Sequence, residues 1–158
     1  MHEAAKQFKN KTGIDVHVSA GPTSQWADKA KLDADVIYSG SEAMMSDLES
    51  VFADKIVKDS IKPLYLRPAA ILVRKGNPKH IQGFKDLSKP NTKVLVTHGA
   101  GQVGMWEDIA GRTGNIQLTK SFRKNIAMYA PNTGAAKKAW EADSSYDAWL
   151  VFNIWGGQ

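Results

Sequence analysis

The chain has 158 residues, 42% of them hydrophobic and 23% charged, with a formal net charge of +5 and no cysteine. That composition excludes a disordered tail, a disulfide framework and thiolate chemistry, and the length suits one or two small lobes. The lysines and arginines are scattered from Lys6 to Lys138 rather than gathered on one helix among exposed aromatics. The basic balance therefore reads as a solvated surface that attracts small anions, not as a nucleic-acid face.

In chain order, Glu3 to Thr12 read as a helix with Ala4, Ala5 and Phe8 on one face, closed by Gly13. Ile14, Val16 and Val18 alternate as a strand, and Ala20 to Ser24 form a turn before a helix carrying Trp26, Ala27 and Ala30. A short apolar strand (Ala34 to Tyr38), the turn Ser39-Gly40-Ser41 and a helix (Glu42 to Ser50) repeat the order. Leu64 to Val73 is a long extended run with Pro68 inside it, which suits an edge strand or a hinge between two bodies. A helical turn at Gly83 to Leu87 precedes the strand Lys93 to Thr97. Next come the glycine turn Gly99 to Gly104, an amphipathic stretch from Met105 to Ala110, and a helix from Leu118 to Asn125. A strand (Ile126 to Ala130), the turn Pro131 to Gly134, a helix (Ala135 to Glu141) and a last strand (Asp147 to Phe152) complete the chain. Alternating strands and helices imply an α/β fold with a mostly parallel sheet covered on both faces.

The segment Gly99-Ala100-Gly101-Gln102-Val103-Gly104 matches the spacing of a dinucleotide fingerprint. That reading needs an acidic residue about 20 positions on, and Gln117 to Pro131 contain none. An anion at a helix N-terminus is the better reading. Three sister turns, Gly21 to Ser24, Ser39 to Ser41 and Asn132 to Gly134, stand at similar strand-to-helix junctions, and none of the four turns contains Asp, Glu, Lys or His. They offer hydroxyls, amides and backbone N–H groups, which hold an anion without reacting with it. The same serines, threonines and asparagines also suit helix capping.

No catalytic constellation stands out: the four histidines are far apart and no nucleophile elbow, Walker lysine or zinc-ligand spacing occurs. The expectation is a protein that is not an enzyme, with no metal and no cofactor. Arg67 suits either an anion's oxygens or a surface ion pair. Trp106, Trp140 and Trp149 read as core, whereas Asn153 and Trp155, where the chain crosses back, are better candidates for a cleft. No apolar run approaches the ~18 residues of a membrane helix, and Met1-His2-Glu3 lacks the layout of a signal peptide.

Several blocks are familiar together. These are Phe8-x4-Gly13-Ile14-x-Val16, Ala20-Gly21-Pro22-Thr23-x2-Trp26, Ala34 to Glu42, Leu66-Arg67-Pro68-x2-Ile71-Leu72-Val73-Arg74-x-Gly76-Asn77-Pro78, Gly99 to Trp106, and Asp147-Ala148-Trp149-Leu150-x2-Asn153-Ile154-Trp155. Their succession resembles the accessory colonization factor C family, which is similar to the sulfate and molybdate type of periplasmic solute-binding protein. The resemblance implies two α/β lobes of the type II arrangement, joined by a hinge and closing on a small anion such as a sulfate-like oxyanion or a small carboxylate. By position it assigns Ser39 and Ser41 to the first lobe's share of the site, Gly101, Gln102, Val103 and Thr133 to the second's, and Arg67, Asn153 and Trp155 to the crossings.

Residues 1–63 would then form a partial first lobe, 64–155 a complete second lobe with the hinge strands, and 156–158 a tail. Against the family pattern, the first lobe lacks its first strand and its C-terminal return, and the chain lacks an exported leader. The expectation is exposed strand edges at Ile14 to Val18 and Ala34 to Tyr38, repaired by pairing in a homodimer. Localisation is periplasmic by the resemblance, and cytoplasmic if the chain as given is the whole gene product. The alternative is a self-associating relative that has lost its ligand.

Overall fold

The computed structural model describes residues 1–99 and 101–153. Three helices come first, α1 (His2–Thr12), α2 (Thr23–Asp33) and α3 (Glu42–Phe52). Gly13 closes α1 in the left-handed conformation, φ 76°, with its N–H on the Lys9 carbonyl. α2 begins at Thr23 behind Pro22, so Thr23 lies inside the helix and its hydroxyl caps nothing. Ala27, Leu48 and Phe52 are buried together, with Trp26, Ile37 and Met45 packed against them. The Trp26 ring stacks on Phe52, with centroids 6.0 Å apart, and belongs to this small core rather than to a cleft wall.

The segments around Ile14 to Val18 and Ala34 to Tyr38 are not strands. Alternating apolar residues favour extended backbone, but a strand needs a neighbour to bond, and no described segment pairs with either. Ile14, Val16 and Val36 are exposed.

The rest of the chain is built on one mixed sheet, in the order β1 (Ala69–Val73), β4 (Ala148–Phe152), β2 (Val94–Thr97), β3 (Ile126–Ala130). β2, β3 and β4 run parallel, whereas β1 is an antiparallel edge strand with Ala69 opposite Phe152. The long extended run read from Leu64 thus contributes a strand only after Pro68, because the proline has no N–H for a ladder.

Helices cover both faces. Val94, Val96, Ala148 and Leu150 face a core shared with Leu87, Trp106 and Phe122, supplied by the 3₁₀ turn Phe84–Ser88, α4 (Met105–Gly111) and α5 (Ile116–Asn125). Leu95, Trp149 and Val151 point the other way, against Ala136 on α6 (Thr133–Ala142). Trp106 and Trp149 are therefore core, and Trp140 packs on Trp149 at 6.4 Å. The strand period of two feeds two separate cores, which is why the central strands are apolar at every position except Thr97, the last of β2.

Phe122 is fully buried, with its ring 4.7 Å from Phe84 and 5.4 Å from Trp106. Phe122→Ala is expected to cost about 3–5 kcal/mol, most of the stability of a small domain, measured as a lowered denaturation midpoint in urea.

Candidate functional site

Three parallel strands end at one edge of the sheet, so the turn that leaves each strand emerges there. β2 leads into Gly99 to Gly104, β3 into Pro131 to Thr133, and β4 into Asn153. Because β1 is antiparallel to β4, its entry, Arg67-Pro68, lies at that edge too, and the Asn153 N–H donates to the Pro68 carbonyl at 3.0 Å.

The two turns after β2 and β3 touch. The His98 N–H donates to the Ala130 carbonyl at 2.7 Å, and a Cβ on Gly99 would stand 2.1 Å from the Pro131 oxygen. Only glycine fits there, for reasons of space. On the next turn the Gln102 side chain reaches across, and its Nε2 donates to the Thr133 hydroxyl oxygen at 2.9 Å. Asn132 caps α6 by accepting from the Ala135 N–H at 2.8 Å.

The first three helices meet this edge through the N-terminus of α3. A Cβ on Gly101, which has φ +76°, would lie 2.3 Å from Ser41 Oγ and 3.3 Å from Met44 Sδ. Ser41 is the cap of α3, its oxygen accepting from the Met44 N–H at 3.2 Å. Accepting at the cap leaves the hydroxyl proton free to donate. Ser39 is turned onto its own loop, donating to the Ser41 carbonyl at 2.6 Å and accepting from the Ser41 N–H.

Arg67 stands between the two bodies. Its guanidinium lies 4.4 Å from the Phe152 ring centroid, and one of its terminal nitrogens would be 3.3 Å from a Cβ on Gly40. It makes no salt bridge to a carboxylate among the described residues. Two residues before it, Tyr65 shares a 2.6 Å hydroxyl contact with Tyr38, which ties the loop before α3 to the crossing segment. That bond, with partial burial, raises the Tyr38 pKa above its ordinary value.

The structure therefore brings Ser41, Arg67, Gly101, Gln102, Thr133 and Asn153 to one sheet edge, with Ser39 beside them. Val103, on the same turn, is 58% exposed and adds no apolar wall. Trp155 lies outside the described residues. Sequence reasoning does not find Met44 or the Tyr38–Tyr65 pair. The signal for Tyr65 is its position two residues before Arg67 on an extended segment, which puts both on one side. His98 packs edge-on against Tyr129 at 6.1 Å. Among the described residues no cluster of His, Asp or Glu is arranged to hold a metal ion, and no helix is long and apolar enough to cross a membrane.

The pattern of the bacterial extracellular solute-binding protein family matches residues 1–156, nearly the whole chain. The chain belongs to that family. Three crystal structures of PEB3 share this solute-binding fold at 38% identity, covering 98% of this chain and 68% of theirs. They are PEB3 bound to L-phospholactate and a glycosylated lysine-to-glutamate variant, each with a TM-score of 0.85, and PEB3 from Campylobacter jejuni at 0.83. No curated protein sequence matches. In open α/β sheets the crevice outside the carboxyl ends of the strands is where ligands bind.

Gly101 and Gly104 both have positive φ, but only Gly101 faces a neighbour. Gly104→Ala should cost about 1 kcal/mol of backbone strain, and Gly101→Ala clearly more because Ser41 must move. Melting temperatures of the two variants measure the difference.

Proposed function

We propose that the protein binds a small anion, an oxyanion or a small carboxylate, between the sheet edge and the N-terminus of α3, as the solute-binding component of a transport or sensing system. The observation that carries this reading is Arg67. It is a guanidinium without a carboxylate partner among the described residues, set beside Gly40 and over the Phe152 ring, at the sheet edge whose turns also carry Ser41, Thr133 and Asn153. A cation among neutral donors binds negative charge and offers no acid–base pair for turnover. PEB3, with the same fold, has been crystallised with phospholactate, which carries a phosphoryl and a carboxylate group, and this favours the same ligand class here. Residues 1–63 and 64–155 act as lobes that close on the ligand about the Arg67-Pro68 crossing. The shared blocks favour a place in the accessory colonization factor C branch, and the family's extracellular character favours a periplasmic setting.

In a thermal-shift panel of phosphate, sulfate, molybdate, citrate and phospholactate, at least one anion is expected to stabilise the protein. An anion at 100 times its dissociation constant adds about 2.7 kcal/mol. Arg67→Gln should weaken binding of that anion by roughly 10- to 100-fold with little change in the melting temperature of the free protein. No response to any anion at millimolar concentration overturns the reading.

Self-association is favoured by a separate observation. Leu32, Val36 and Leu66 are 88%, 84% and 93% exposed, and the segments Ile14 to Val18 and Ala34 to Tyr38 have no strand partner among the described residues. A second copy of the chain would cover them. Light scattering at micromolar concentration is expected to give twice the 17.3 kDa chain mass, and Leu32→Lys with Val36→Lys to return it to one. A compact wild-type monomer excludes the dimer.

A further inference from the structure

The lysines are scattered along the sequence, but the fold gathers several of them at one end of the sheet. Residues 64–158 hold 13 Lys and Arg against 6 Asp and Glu, whereas residues 1–63 hold 8 against 10. The whole excess of positive charge therefore belongs to the sheet and its helices. Val73, Val94, Ile126 and Ala148 are level in the strand register, so the residues flanking them share the end opposite the ligand edge. Lys75 follows β1 by two residues, Lys93 directly precedes β2, and Lys124 stands two residues before β3, all three exposed. Lys79 and Lys89 join them. Lys79 Nζ donates to the Asn91 carbonyl at 2.8 Å, and the Lys89 carbonyl accepts from Asn125 Nδ2 at 2.7 Å.

The carboxylates at this end are spent on the protein itself. Asp147 accepts from the Lys93 N–H and Asp143 from the Ser145 N–H, each at 2.8 Å, and Asp86 accepts from the N–H groups of Gln82 and Gly83. Asp86 also pairs with Lys89 at 2.7 Å, and Asp147 lies 3.9 Å from Lys79. Lys75, Lys93 and Lys124 have no carboxylate partner among the described residues, and Lys93 Nζ has only the Ser145 hydroxyl, at 3.4 Å.

The residue types at this end decide between kinds of partner. Protein interfaces are rich in aromatic anchors and poor in lysine, and single-stranded nucleic acids are held by exposed rings and free arginines. None of the exposed large hydrophobic residues lies here. The arginines are engaged, Arg74 at 3.5 Å over the Trp140 ring with its Nε on the Tyr146 carbonyl, and Arg123 at 5.4 Å over Trp106. What faces solvent is a set of flexible point charges on separate turns, which suits negative charge spread over a plane.

We propose that this end of the sheet docks on an anionic phospholipid surface through Lys75, Lys93 and Lys124, with the ligand edge facing away from it. The acidic balance of residues 1–63 sets the orientation. That part of the chain meets the sheet at the ligand edge, where Ser41 approaches Gly101, and the same lipid charge repels it.

Co-sedimentation of the whole chain with phosphatidylcholine vesicles, with and without phosphatidylglycerol, tests the proposal. Binding is expected only with phosphatidylglycerol, and it should weaken steeply between about 0.01 and 0.15 M salt as the Debye length falls from about 30 to 8 Å. Changing Lys75, Lys93 and Lys124 together to Gln should weaken it by at least about 20-fold, at roughly fivefold per lysine. The same change at Lys6, Lys11 and Lys55, three exposed lysines of residues 1–63, should alter it less than about threefold. All six side chains are exposed, so both variants are expected to fold as the wild type does. Absence of binding to phosphatidylglycerol at low salt overturns the proposal, as does equal binding to the neutral vesicles. Equal losses in the two variants overturn it by assigning the effect to net charge alone. Tighter binding to polyglutamate or to a single-stranded oligonucleotide than to the vesicles overturns it in favour of another class of partner.

Discussion

The Pro131 carbonyl oxygen occupies the space where residue 99 would carry a Cβ, 2.1 Å from its ideal position. With a glycine there, the turns after β2 and β3 close on one another, and His98 can bond the Ala130 carbonyl. The contact fixes where Gln102 begins, so that its side chain spans to Thr133, and it sets the face of Gly101 that meets Ser41. Much of what gathers at the sheet edge depends on that approach of two main chains. The parallel pairing of β2 with β3 brings the turns level, and the glycines let them touch.

Ser41 shows how one side chain can cap a helix and still keep a donor to offer. Its oxygen holds the start of α3 by accepting from Met44, and its side chain is also the part of the first three helices nearest Gly101. Reading such serines as caps and reading them as ligand donors are not rival accounts, because acceptance at the oxygen leaves the proton unspent. Ser39 differs, since both its donor and its acceptor capacity turn back on the loop.

The sheet and its helices are legible in the sequence because their signals are local. Apolar runs from Val94, Ile126 and Ala148 are bounded by turn residues, and Asn132 caps its helix. The alternation at Ile14 to Val18 and Ala34 to Tyr38 misleads, because alternation sets backbone shape while a ladder depends on a partner far away in sequence. The antiparallel direction of β1 is hidden for the same reason, as only its pairing with Phe152 reveals it. At the site, the choice of residue types at the turns is readable. The stacking of Arg67 on Phe152 and the bond from Tyr38 to Tyr65 are not, since each joins positions remote along the chain.

The small core of the first three helices has a consequence for turnover in the cell. Ala27, Leu48 and Phe52 are all that is fully buried there, and α1 buries nothing, while the sheet has two cores of its own. Regions with few buried contacts open at lower free energy than the rest of a molecule. A solute held against both parts would keep α3 docked, so occupancy would govern how often the weaker part is offered to a protease. The lifetime of the protein then becomes a record of how much solute surrounds it.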